Sequence, residues 1–156
     1  MMSKQTFWNS SSWGEGNIGT PIMSDIVDVV KSGYMSLKIE IPPGNNSRAN
    51  IFHKFSSIQD WSKNEYIILQ FYGQCTNKAI EFVIKDAKGK KQWWIFKDEF
   101  LGWKQLTIPL NSSLGWKQSD DYTDLSNIQS IDLHFTPELG DIFFLDKIIR
   151  REIQKG

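Results

Sequence analysis

Apolar and polar residues alternate with a period of two along most of this chain. Tyr34 to Ile41 sets Met35, Leu37, Ile39 and Ile41 on one side and Ser36, Lys38 and Glu40 on the other. Such alternation marks a strand with one buried face. The pattern recurs in Asn50 to Phe55, Tyr66 to Tyr72, Ala79 to Lys85 and Ile128 to Phe135. In these, Ile67, Leu69 and Phe71 share a phase, as do Ile80, Phe82 and Ile84, and Ile131, Leu133 and Phe135. In the first of them, Ile51, His53 and Phe55 share one phase, and Asn50, Phe52 and Lys54 the other. Ile26 to Val30 and Ile142 to Ile149 read as apolar strands, and the stretch from Thr6 as one short strand running into loops. Turn residues separate the runs: Lys31 to Gly33, Pro42 to Asn46, Gln59 to Lys63, and Asp86 to Lys90, with Gly89 where a positive φ is wanted. Asn111 to Asn127 reads as a long polar loop around Trp116. No stretch keeps a helical period. About nine short strands with turns between them predict an all-β fold, an antiparallel β-sandwich arranged as a jelly roll.

The stretch from Lys91 to Leu110, KQWWIFKDEFLGWKQLTIPL, holds three of the seven tryptophans and reads as strand, turn, strand. Its second half sends Lys104, Leu106, Ile108 and Leu110 one way and Trp103, Gln105, Thr107 and Pro109 the other. Its first half sends Trp93 and Ile95 one way and Trp94 and Phe96 the other. A large ring therefore faces outward whichever phase is core. An aromatic ring on a polar sheet face often serves as a binding platform. The alternative is that a loop covers the outer side.

Composition narrows the partners. A chain of 156 residues fits one domain, spanning 1–156, and needs no metal or disulfide merely to fold. Eighteen basic residues are balanced by eighteen acidic ones, so nucleic acid is not expected. No apolar run is long enough to span a membrane. The single cysteine, Cys75, forbids an internal disulfide and reads as a bystander. The doubled Met1–Met2 start suggests a domain taken from a longer protein.

Four landmarks carry a resemblance. SGYMSLKIEI at Ser32, DWSKNEYIILQFYG at Asp60, FLGWKQLTIPL at Phe100, and IQSIDLHF followed by GDIFFLDKI resemble, in that order, strands of jelly-roll carbohydrate-binding modules attached to polysaccharide hydrolases. The resemblance runs from Tyr34 to Ile149. It implies a galactose-binding-like β-sandwich and a non-catalytic module, monomeric and linked to a catalytic domain. It also implies an extracellular setting and a polysaccharide or oligosaccharide as partner. The same pattern is similar to an assembly-factor family of sandwiches that bind proteins, which remains an alternative.

Sugar binding needs flat rings for pyranose C–H faces and amides, carboxylates or imidazoles for hydroxyls. The candidates, read as outward, are Tyr72, Gln70, His53, Glu81, Asp132 and His134, with Trp93 or Trp94; where their strands neighbour one another in one sheet, they form one polar face with aromatic anchors. Phe96 sits where the resembled family buries a Phe, and Trp94 shares its face, which favours Trp93 as the exposed ring. Trp103 belongs to a landmark that implies a structural role. Many such modules hold a structural calcium through the Asp of the closing strand. Asp146 matches it, at a position read as inward between Phe144 and Ile148, with Glu15 and Ser36 as further candidates; Lys147 stands where a second acid is usual. A small polysaccharide lyase, using Tyr72, His53, His134 and Gln70, is the enzyme alternative. Against it, Arg48, Arg150 and Arg151 are the only arginines and none lies in a predicted face strand.

Overall fold

The computed structural model describes the backbone of residues 3–6, 14–15, 22–26, 36–40, 49–110, 115–118, 123–135 and 142–152, and the side chains of 38–39, 50–110, 115–118 and 123–135. Twelve strands occur among these residues. They are β1 (Ser3–Thr6), β2 (Gly14–Glu15), β3 (Ile22–Ile26), β4 (Ser36–Glu40), β5 (Ala49–Gln59) and β6 (Asn64–Gln74). Then follow β7 (Ala79–Asp86), β8 (Lys91–Lys97), β9 (Leu101–Pro109), β10 (Trp116–Gln118), β11 (Ile128–Phe135) and β12 (Ile142–Glu152). Within the described residues strands form where the alternation predicted them, several of them longer than it indicated. Of the stretch from Ile26 to Val30, only Ile26 is described, as the end of β3. The stretch expected as one loop from Asn111 instead holds β10 and a 3₁₀ turn at Leu125–Asn127.

The strands make two six-stranded sheets. The first runs β3-β4-β12-β6-β9, with β1 also on β12, and the second runs β10-β8-β7-β11-β5-β2. The pairings are antiparallel, as in β6 with β9 and β11 with β7. This is the sandwich that the alternating pattern predicted.

Each central strand buries one row of side chains. Ile67, Leu69 and Phe71 on β6 and Ile108 on β9 meet Ile51, Ile80, Phe82, Ile84, Ile131 and Leu133 from the second sheet, all of them fully buried. Apolar burial of this kind is the main drive to fold, at about 25 cal/mol per Å² removed from water. The Phe71 and Phe96 rings meet edge to face across the two sheets, with centroids 5.5 Å apart. Trp61 closes one end, 1% exposed, its indole N–H donating to Gln59 Oε1 at 3.0 Å.

Two buried carboxylates fasten the connections. Asp98 accepts from the backbone N–H of Gln74 at 2.9 Å, that of Thr76 at 3.1 Å, and the Thr76 hydroxyl at 2.7 Å. It thereby ties the crossover from β6 to β7 to the crossover from β8 to β9. Cys75 and Asn77, both at positive φ, lie in that crossover. Asp86 accepts from the N–H groups of Lys88 and Lys90 within the β7–β8 hairpin, and from that of Asp124 ahead of β11, at 2.9 to 3.0 Å. Burial pushes the Asp86 carboxyl up, but the donors from Asp124, Lys90 and Lys88 together hold it below its ordinary value.

A carboxyl depressed in the folded state adds stability that is present above its unfolded pKa and is lost as pH falls through the folded value. Asp86→Asn should therefore cost roughly 1–3 kcal/mol at neutral pH. The gap to the parent should begin to narrow as pH falls below about 4. Urea unfolding at pH 7 and pH 3 measures both; a gap that stays constant across that range contradicts the assignment.

Candidate functional site

The outer face of the second sheet is generated by the core. Because Ile80, Phe82 and Ile84 are buried, Glu81, Val83 and Lys85 of β7 turn outward. Ile131, Leu133 and Phe135 likewise send Ser130, Asp132 and His134 of β11 outward. Ile51 and Phe55 do the same for Asn50, Phe52 and Lys54 of β5. On β8, Trp94 and Phe96 pack onto the core, leaving Lys91, Trp93 and Ile95 outside.

Strand register sorts these positions into three rows across the sheet. One row is Asn50, His134, Glu81 and Ile95. The middle row is Phe52, Asp132, Val83 and Trp93, continued by Lys117 of β10. The third is Lys54, Ser130, Lys85 and Lys91. Rows two residues apart lie about 7 Å from each other, and Phe52 and Trp93, three strand spacings apart, about 14 Å. All of these but Ile95 and Lys117 line a trough of about 660 Å³.

Val83, 6% exposed, forms part of the floor between the two aromatic residues. His134 Nε2 lies 3.4 Å from Asp132 Oδ2, both side chains about a quarter exposed. That contact is an ion pair only when the imidazole is protonated. The trough therefore offers two rings, a floor rich in hydrogen-bonding groups, and charges of both signs.

The structure divides the residues expected to share one face. Trp93, Glu81, Asp132 and His134 come together in the trough. Trp94 is on the core side, its ring edge to face with Trp116 at 5.8 Å. Gly115, at φ 84°, lets that ring approach: a Cβ there would stand 2.4 Å from it. His53 was expected outward and is not; it shares the phase of Ile51 and Phe55 and sets its ring against Phe55 at 5.1 Å. Gln70 and Tyr72 do point outward, but on β6 in the first sheet, so they stand on the opposite side of the sandwich. There Gln70 Nε2 donates to Gln105 Oε1 at 3.1 Å, and Tyr72 meets Trp103 edge to face at 5.4 Å. Alternation assigns a phase but not a sheet, and the chain changes sheets between β6 and β7. Phe52 and Lys54 also line the trough and were not among the candidates, although their polar-side phase was readable beside Ile51 and Phe55.

The calcium candidates Glu15, Ser36 and Asp146 lie on β2, β4 and β12, and their side chains are outside the described residues. The backbone does correct one expectation. Leu145 is in register with Phe71 and Ile148 with Leu69, so β12 carries a bulge at Asp146–Lys147. The uninterrupted alternation expected from Phe144 to Ile148 is broken there. Among the described residues no group of three or more His, Cys, Asp or Glu could hold a metal.

No family model and no curated protein matches the chain. Solved structures do. The chain is similar to the family 11 carbohydrate-binding module from Clostridium thermocellum in complex with a β-1,3-1,4-mixed-linked tetrasaccharide, with TM-score 0.73 and 17% identity over 99% of this chain and 98% of that one. It is similar to a family 30 carbohydrate-binding module, with TM-score 0.69 and 14% identity over 98% and 100%. It is also similar to part of an exo-β-agarase, with TM-score 0.72 and 14% identity over 94% of this chain and 24% of that one. These likenesses set the fold among the jelly-roll β-sandwiches of carbohydrate-binding modules.

The two adjacent tryptophans should separate cleanly on mutation. Trp94→Ala opens the core beneath Phe82 and Trp116 and should cost about 2–4 kcal/mol. Trp93→Ala, on the outer face, should change stability by less than about 1 kcal/mol. Equilibrium unfolding of both variants measures this, and equal losses would contradict the assigned phase.

Proposed function

We propose that this chain is a non-catalytic carbohydrate-binding module that takes a polysaccharide or oligosaccharide chain in the trough of the second sheet. The observation that carries the reading is the middle row: Trp93 and Phe52 stand about 14 Å apart with Asp132 and Val83 between them. Flat rings at that separation suit two sugar units of a chain crossing the strands. Asp132, His134, Glu81 and Asn50 supply acceptors and donors for the hydroxyls between and beside them. The fold shared with modules of this class supports the reading.

Binding without turnover fits the geometry. Tyr72 and Gln70 lie on the outer face of the first sheet, His53 on the core side, and His134 in the trough, so the lyase set is dispersed over separate surfaces. Glu81 and Asp132 stand on neighbouring strands of one floor, not on opposite walls of a cleft as glycoside hydrolysis needs. The module acts as a monomer outside the cell, joined to a catalytic domain that it holds near its polysaccharide. The agarase likeness, which covers one part of a longer chain, supports that last element.

Stacking dominates affinity in such a trough. Trp93→Ala and Phe52→Ala should each weaken binding to a soluble glycan by roughly 1–3 kcal/mol, by analogy with base stacking on aromatic platforms. Tyr72→Ala, on the far face, should bind as the parent does. Calorimetry against mixed-linkage glucan and agaro-oligosaccharides, with a melting curve for each variant, decides it. Unchanged affinity in both trough variants removes the site, and loss in Tyr72→Ala alone moves it to the first sheet.

A structural calcium is a separate part of the proposal. Asp146, with Glu15 and Ser36, would supply the oxygen ligands that a hard cation prefers. Ligand that binds only the folded state raises stability by about 2.7 kcal/mol at a hundredfold excess over Kd. A melting temperature insensitive to calcium and to chelator would remove the ion.

A further inference from the structure

The row of Lys54, Ser130, Lys85 and Lys91 is not explained by binding a neutral sugar. Lys85 and Lys91 are direct cross-strand partners on β7 and β8, and like charges placed opposite one another destabilise a sheet. Lys54 stands in the same row, separated from Lys85 only by Ser130. All three lysines line the trough. The chain as a whole carries no net charge, so this is a local concentration and not general basicity. The carboxylates of the trough, Glu81 and Asp132, belong to the other two rows. The trough is thus polarised across its width, with ammonium groups along one side and Glu81 with His134 along the other.

We propose that the lysine row is an anion subsite, and that the glycan taken by this trough is an acidic polysaccharide bearing sulfate esters or carboxylates. This rests on the trough being a glycan site. Trp93 and Lys91 lie two residues apart on the same face of β8, about 7 Å along the strand. A sugar ring stacked on Trp93 therefore carries its ring substituents within reach of Lys91 and Lys85. Each ammonium offers three N–H donors and no acceptor, which suits sulfate and carboxylate oxygens and adds nothing specific for a neutral ring. Lysines, as mobile point charges, accept either anion geometry, so the row by itself reads charge and leaves the choice of anion to the rest of the trough.

The test uses the purified chain against three soluble polysaccharides: an uncharged galactan, its sulfated counterpart and a polyuronate. Polyglutamate serves as an anion without sugar rings. Binding is measured at about 20 mM and about 500 mM salt, where exposed charges are weakly and strongly screened. The expected result is about tenfold preference for an acidic glycan at low salt, lost at high salt. Lys54→Gln, Lys85→Gln and Lys91→Gln should each cost about two- to fivefold on the acidic glycan, the scale of exposed ion pairs. They should weaken binding of the uncharged one markedly less than that of the acidic one. Which acidic glycan shows the preference tells sulfate from carboxylate. Equal binding of charged and uncharged glycans, with Trp93→Ala still weakening both, overturns the anion subsite and leaves the glycan site standing. Binding of polyglutamate as tight as that of the glycans overturns it as well. If no polysaccharide binds, both readings fall.

Discussion

The edge-to-face contact of Phe71 with Phe96 bridges the two sheets, and much of the molecule follows from it. Such a contact is worth about 0.5–1.5 kcal/mol beyond its buried area, but its larger consequence is geometric. With Phe96 fixed inward, the pleat of β8 has one phase. Trp94 must join the core against Trp116, and Trp93 must leave it. Antiparallel register then sets Trp93 beside Val83, Asp132 and Phe52. A slip of one residue in β8 would bury Trp93 and Lys91 and expose Trp94 and Phe96, at a cost no outer contact offsets. Core packing and the composition of the trough are one constraint seen from two sides.

Phase alone does not hold four strands level, and the buried carboxylates do that. Asp98 locks the two crossovers at one edge of the sandwich, and Asp86 locks the β7–β8 hairpin to the segment entering β11. Each replaces water with backbone N–H donors, the arrangement a buried carboxylate needs. Both act at ends of strands whose middles line the trough. They keep β7, β8 and β11 from sliding past one another, which would break every row. Stability and the shape of the trough thus share the same fasteners, although Asp86 and Asp98 do not line it.

Much of the fold was legible because burial writes itself as period two. The inward sets on β6, β7 and β11 were readable from Ile67, Leu69 and Phe71, from Ile80, Phe82 and Ile84, and from Ile131, Leu133 and Phe135. The pairing of sheets was not, because which strands neighbour one another depends on contacts distant in sequence. That is why Tyr72 and Gln70, correctly read as outward, were grouped with residues on the far side of the sandwich. His53 shows a different failure. Its phase with Ile51 and Phe55 was plain, and a polar ring in the inward row was nonetheless counted as a surface group. Phe52 is the converse, an apolar ring in the polar row and therefore the more informative residue. The lysine row was illegible for the same reason as the sheets: Lys54, Lys85 and Lys91 are scattered in sequence and meet only through register.

The sandwich has two outer faces with aromatic residues, and their internal contacts tell them apart. On the first sheet Tyr72 sets its ring against Trp103, Gln70 bonds to Gln105 across β6 and β9, and Ile68, next in that row along β6, is 3% exposed. Those side chains contact one another across the sheet, as cross-strand pairs do, while Gln70 Oε1 is buried without a hydrogen-bond partner. On the second sheet the middle row sets Trp93 beside Val83 and Lys117, neither of them aromatic, and Phe52 is 36% exposed. The adjacent row sets like charges opposite each other. A face that sets its rings apart leaves more apolar surface for a partner to cover. That difference in ring placement, more than the presence of aromatic residues, favours the second sheet as the face for the proposed ligand.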